Sequence, residues 1–329
     1  MNRLFTLLLI LLCNLSACQK EMLNEVKKQA VFKEMWQYID ENYIYFDHKA
    51  VDWQAVYEAY APLVKEDISE AEFRELCFAM LNTLKDGHNR LTTPDFDENY
   101  NYRDGFNIHF DLDLIKEKYL DNNFQDIGFY TYGLLPNKIA YVHFQSFYQV
   151  GLIQEVIDFF SEQAIQGIIF DIRDNSGGTG QDAVEIVGHF IDQVTTVGYL
   201  VEKTGKAPDD VSEPLSIKAI PKTPVLKVPV VLLTNRKSYS ATTYLTAQFE
   251  TLPNVTIVGQ ITGGGGGGNQ TQELSNGWLL TISSSKLLDI NFDESLESGI
   301  VPDIQINNDP TALENGTDQM LEKAIQLLN

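Results

Sequence analysis

The chain has 329 residues, an ordinary apolar content of 44% and 46 acidic against 24 basic residues, for a formal charge of −22. That composition excludes a globally disordered chain and allows a substantial buried core. So acidic a protein is also a poor partner for nucleic acid or an anionic membrane surface. In chain order, residues 1–17 come first: Arg3 and then an apolar run from Leu4 to Cys13. The run is too short to span a bilayer and reads as a secretory signal. Residues 18–27 read as a short tether. With Cys13 in the signal and Cys18 at its end, Cys77 stands alone, so the exported chain is expected to rely on its core rather than on disulfides. Residues 28–92 read as a helical N-terminal domain. Phe32, Met35, Trp36 and Ile39 recur at helical spacing, and Ser69 followed by acidic residues marks a helix start. Residues 93–135 read as a connector with strand-like pieces such as "FNIHFDLDL".

From 136 to 329 the pattern changes. "KIAYVHFQSF", "GIIFDIR", "VPVVLLT" and "VTIVG" read as strands alternating with amphipathic helices, and "TDQMLEKAIQLL" as a terminal helix. Such alternation predicts βαβ units and a mainly parallel sheet, an α/β core. Ligands bind at the carboxyl ends of such strands. Two strand exits draw attention: "DIRDNSGGTG", with Gly177 and Gly178, and "TNRKSYSATTYL", where a helix is expected to start near Ser240. Backbone N–H groups there can hold an anion. Taken alone, Ser238 or Ser240 reads as a helix cap, the commoner role for such a serine, and Gly177-Gly178 as a simple turn.

These residues carry a family resemblance. "IIFDIRDNSGG", "SYSATTYL", "LPNKIAYVHFQSF", "GIVPDIQI" and "LKDGHNRL" occur in order and resemble segments of the C-terminal processing (tail-specific) and tricorn-like serine peptidases. The resemblance implies a core of the ClpP/crotonase-like type, with Ser240 on the nucleophile and the N–H groups of Gly178 and Ala241 as an oxyanion hole. In the processing branch a lysine serves as base. The matching segment here, "VGQITGGGGGGNQ", puts Gly265 at its place. The resemblance therefore points to the tricorn-like branch, in which His88 matches the base, and Glu297, rather than Glu294, matches the glutamate that orients the site. Gly87 stands where that branch often has a second serine. The run Gly263 to Gly268 is expected to be a mobile loop beside the site, with Gly177 and Gly265 offering bare backbone to substrate. About fifty residues between His88 and "KIAYVHF" leave no room for the PDZ domain that processing peptidases usually insert.

"LSAC" at Leu15 to Cys18 resembles the lipobox of bacterial lipoproteins. It implies a lipid anchor on Cys18 and residence in the cell envelope, on the periplasmic or surface side. The expectation is a serine endopeptidase acting on extracytoplasmic peptides or unfolded proteins through a Ser-His centre, needing no cofactor and no metal. The alternative is an inactive relative that binds a peptide or small ligand, since fold does not dictate function.

Overall fold

The computed structural model describes residues 28–148 and 150–329. The signal, the lipid-anchor cysteine Cys18 and the tether lie outside the described residues. The chain divides into two compact units, and the cut does not follow chain order.

The first unit takes its described residues from 28–100, 203–211 and 269–284. Helix α1 covers 28–42 and buries Val31, Phe32, Met35 and Ile39. A short α2 (Phe46–Lys49) follows, then α3 (Trp53–Tyr60), capped by Asp52, which accepts from Ala55 N. Helix α4 (Glu70–Asn82) starts with a capping box: Ser69 Oγ accepts from Glu72 N while Glu72 accepts from Ser69 N. Its buried face is Phe73, Cys77, Met80 and Leu81. Burial pushes the Cys77 thiol far above its ordinary pKa, so it packs as an apolar group. Strands β1 (Arg90–Thr93) and β2 (Phe96–Asn99) form a hairpin. Leu274, Trp278, Leu280 and Ile282, from far along the chain, complete the helices' core. The sequence-based boundary at 92 is therefore corrected: helices alone do not close this core, and distant strand residues supply part of it.

The second unit holds 101–202, 212–268 and 285–329. After short α5 (Leu112–Leu114), strands β3 (Phe124–Ile127), β4 (Tyr130–Leu135), β5 (Ile139–Phe144) and β6 (Gly167–Asp171) lie in one sheet. The expected connector at 93–135 is thus corrected, because β3 and β4 belong to the core sheet. Its "FNIHFDLDL" segment forms no strand at 106–110. Strands β7 (Thr195–Glu202) and β8 (Leu215–Ala219) pair with each other, and the end of β12 pairs with β7 through Leu287↔Leu200. Strands β9 (Val230–Thr234), β10 (Val255–Gly259) and β13 (Ile304–Gln305) complete the main sheet. Strands β11 (Gly267–Glu273) and β12 (Leu279–Leu288) each divide between the units' shares of the chain.

The main sheet has the order β13-β10-β9-β6-β5-β4-β3, parallel from β13 to β5 and antiparallel beyond it. Alternate residues of its strands serve opposite faces. Ile168, Phe170, Leu232 and Ile257 meet α6 (Ile153–Ser161), α7 (Gly180–Val187) and α8 (Ala241–Glu250). Ile169, Val231, Leu233 and Val258 meet α10 (Gln319–Leu328), which follows α9 (Pro310–Glu314). Covering both faces explains why these strands read as continuous apolar runs. The expected α/β fold with a mainly parallel core is observed.

Candidate active site

Three parallel strands, β6, β9 and β10, end side by side, and their exits build the site. Asn175, after β6, ties them together. Its Oδ1 accepts from Gly177 N (2.9 Å) and Thr242 Oγ1 (2.8 Å), its Nδ2 donates to Phe144 O, and its own carbonyl accepts from Tyr239 N. Asn235 plays the matching part after β9. It accepts from Asp174 N and Lys237 N and donates to Asp174 Oδ1. Ser238 is fully buried; its hydroxyl donates to Ile172 O and accepts from Asn235 N. That serine is committed to the turn and is not placed for chemistry.

Ser240 is different. It precedes α8 with φ 58° and ψ −121°, a backbone conformation rare for a residue with a Cβ, and its side chain makes no capping hydrogen bond to the helix. The helix-cap alternative is thereby excluded. A strained serine at a strand-to-helix turn points its hydroxyl out from the sheet end. The following N–H, of Ala241, is the first of α8 and has no intrahelical partner. Gly177 packs under the turn, where an added Cβ would come within 2.9 Å of Ser240 Cβ and 3.0 Å of Ala241 N. Gly178 is held by a parallel bridge to Phe147, with Phe147 N donating to Gly177 O.

The glycine run follows β10. Gly263 to Gly266 are buried. Gly263 N donates to Ser238 O, and Gly264 O accepts from Ser240 N and Thr243 Oγ1. A Cβ on Gly265 would lie 2.5 Å from Tyr239 Cζ. The expectation that Gly265 offers bare backbone to substrate is therefore corrected: a tyrosine ring covers it, and the run serves close packing. No lysine side chain could stand at that position without displacing Tyr239.

Glu297 is buried on the other side of the run. Its Oε2 accepts from Gly266 N (3.1 Å) and its carbonyl accepts from Gly265 N. Glu294 instead pairs with Lys286 at 2.6 Å. So Ser240, Ala241, Gly177, Gly178, Gly265 and Glu297 belong to one unit, and the glycine run links Ser240 to Glu297.

His88 belongs to the other unit. It is buried in the turn after α4, where its backbone N–H donates to Asp86 Oδ1 (2.8 Å). Asp86 Oδ2 accepts from Ser283 Oγ, and Gly87 O accepts from Asn99 Nδ2. Burial lowers the His88 pKa from its ordinary value, Asp86 opposing this and Lys49 adding to it. Of the other histidines, His143 and His189 are buried and bonded to the carbonyls of Arg173 and Pro224.

Sequence reasoning missed a set of residues around the run. Tyr102 stacks on Tyr239 with centroids 3.9 Å apart and planes at 15°. Arg236 donates to the carbonyls of Tyr102 and Thr262. Tyr239 adjoins the nucleophile in the sequence, but nothing in the irregular stretch around Tyr102 signals its place.

Residues 138–306, just over half of the chain, match Peptidase family S41, and residues 25–82 match the Tricorn protease C1 domain. Among solved structures, a candidate peptidase of Parabacteroides merdae is 32% identical, with a TM-score of 0.84 over 92% of this chain and 96% of that one. Carboxyl-terminal-processing peptidase 3 of Arabidopsis thaliana chloroplasts is 26% identical over 188 residues, 56% of this chain and 34% of that protein. Carboxy-terminal processing protease CtpA of Bacillus subtilis is 25% identical over 171 residues, 51% of this chain and 35% of that protein. The chain thus spans about a third of the length of these two curated relatives. The ordered motifs, the parallel sheet with its serine turn, and these matches agree: the chain belongs to peptidase family S41.

Proposed function

We propose that the protein is a serine endopeptidase that cleaves peptide bonds of extracytoplasmic peptides or unfolded proteins. The observation that carries this reading is the conformation of Ser240: a left-handed serine at the end of a parallel strand, its side chain not spent on capping, with a helix N-terminus directly behind it. Ser240 Oγ attacks the substrate carbonyl carbon. The N–H groups of Gly178 and Ala241 hold the resulting oxyanion, where one such donor contributes roughly 2.7–4 kcal/mol. His88 takes the serine proton and returns it to the leaving amine, and water then hydrolyses the acyl-enzyme. Glu297 orients the glycine run beside the nucleophile. Two observations support a histidine over a lysine as base. Tyr239 occupies the space above Gly265, and burial lowers the His88 pKa, which favours the neutral ring that a base must present.

Turnover of an unfolded, fluorogenic protein substrate tests the reading. Ser240→Ala and His88→Ala should each lose at least a hundredfold in kcat while remaining folded. A wild-type protein that binds such a substrate and never cleaves it would establish the binding-protein alternative.

We further propose that Cys18 is lipid-modified and holds the protein to the cell envelope. The lipobox-like "LSAC" supports it, and no helix among the described residues is long and apolar enough to cross a membrane. Fatty-acid labelling in cells that is lost in Cys18→Ser tests this.

A further inference from the structure

Resting on the reading of Ser240 as nucleophile, we propose that Tyr102 is a positioning residue: its ring, stacked on Tyr239, clamps the serine turn in its reactive conformation. A φ of 58° at Ser240 persists only if the surroundings over-determine it. Backbone bonds supply part of that restraint, from Tyr239 N to Asn175 O (3.0 Å) and from Ser240 N to Gly264 O (2.8 Å). They restrain the backbone, while the Tyr239 ring, one residue before the nucleophile, is held in its place by packing as well. One side of that ring lies against the glycine run, since Cβ atoms on Gly263 and Gly265 would come within 2.8 Å and 2.5 Å of it. Tyr102 supplies a stacked partner at 3.9 Å. The absence of side chains in the run thus creates the seat in which the tyrosine sits.

Tyr102 is brought there by a strap, Tyr102–Asn107, tied at three points. Arg236 Nε donates to Tyr102 O (3.0 Å), Gln260 Nε2 donates to Asn107 O (2.6 Å), and the Arg236 guanidinium lies 4.5 Å from the centroid of the Phe106 ring. The two hydrogen bonds reach backbone carbonyls and the third tie reaches Phe106, so shortening the Tyr102 side chain leaves the strap attached and removes only the ring.

The test measures the rate of fluorophosphonate labelling together with kcat and KM for wild type, Tyr102→Ala and Tyr102→Phe, with folding checked by thermal unfolding. An aromatic pair of this geometry corresponds to roughly a two- to tenfold effect. Tyr102→Ala should label that much more slowly, with kcat reduced by the same factor and KM unchanged, and Tyr102→Phe should restore the wild-type rate. A folded Tyr102→Ala that labels at the wild-type rate overturns the proposal. So does slower labelling fully accounted for by loss of folded protein, or a Phe variant as slow as Ala. Wild type that takes no label at all removes the nucleophile reading itself, and the clamp with it.

Discussion

Ser240 donates its backbone N–H to the carbonyl of Gly264, 2.8 Å away, and Gly264 itself lies with φ 84° against the carbonyl of Glu297, where an added Cβ would collide. The nucleophile turn is therefore hung from the glycine run, and the run is pressed against the glutamate's backbone. The second link requires a residue without a side chain at 264.

Gly264→Ala should consequently lose about 1–3 kcal/mol of stability from backbone strain alone, and more from the clash. Urea denaturation reads this directly. An unchanged midpoint would show that the run yields freely and does not restrain Ser240.

Gly177→Ala acts on the other side of the same turn. Its Cβ would meet Ser240 Cβ at 2.9 Å and Tyr239 O at 2.6 Å, and φ 94° adds strain. Displacing a reacting group by about 1 Å costs on the order of a hundredfold in rate. The expected result is a kcat lower by about that factor with a modest change in KM. Equal loss in KM and none in kcat would place Gly177 in ground-state binding instead.

A buried ion pair secures the β6 exit from behind. Arg173 pairs with Asp171 at 2.6 Å and with Asp318 at 2.8 Å, all three side chains being fully buried. Burial opposes the charge on Arg173, and the two carboxylates together more than offset it. Asp318→Ala leaves that charge under-compensated and removes the cap of α10, where Asp318 accepts from Leu321 N. A loss of about 3–5 kcal/mol is expected by chemical denaturation. A loss under about 1 kcal/mol would mean that water reaches Arg173.

The pH profile follows from His88. Burial pulls its pKa below the ordinary 6.5, so a rate that needs the neutral ring should rise through a midpoint below 6.5. An ordinary histidine would instead give a rise from about pH 6 to 8. His143 and His189 shift the same way, also chiefly by desolvation. The unfolded chain therefore binds protons before the folded one does, so stability is full above about pH 6.5 and declines as pH falls below it. A midpoint for kcat/KM at or above 6.5 would remove His88 as the titrating base.

The sequence made the core sheet legible because its strands are buried on both faces and alternate with amphipathic helices. Ser240 and the Asn175–Gly178 turn were legible because each stands at a strand exit with a local pattern. Two things were not. Trp278, Leu280 and Ile282 pack among helices encoded some two hundred residues earlier, and strand periodicity says nothing about which layer a strand joins. The glycine run was misread as open backbone because sequence shows the missing side chains and not the Tyr239 ring that fills their place. Tyr102, in an irregular stretch, reaches the site through Arg236 and Gln260, contacts that no local pattern encodes.

The central claim is that Ser240 is an activated nucleophile. Intact-mass and peptide mapping after fluorophosphonate treatment tests it most directly. The account expects one adduct, on the peptide containing Ser240, lost in Ser240→Ala and formed far more slowly in His88→Ala. No adduct on the folded wild-type protein, or one that persists in Ser240→Ala, would contradict it.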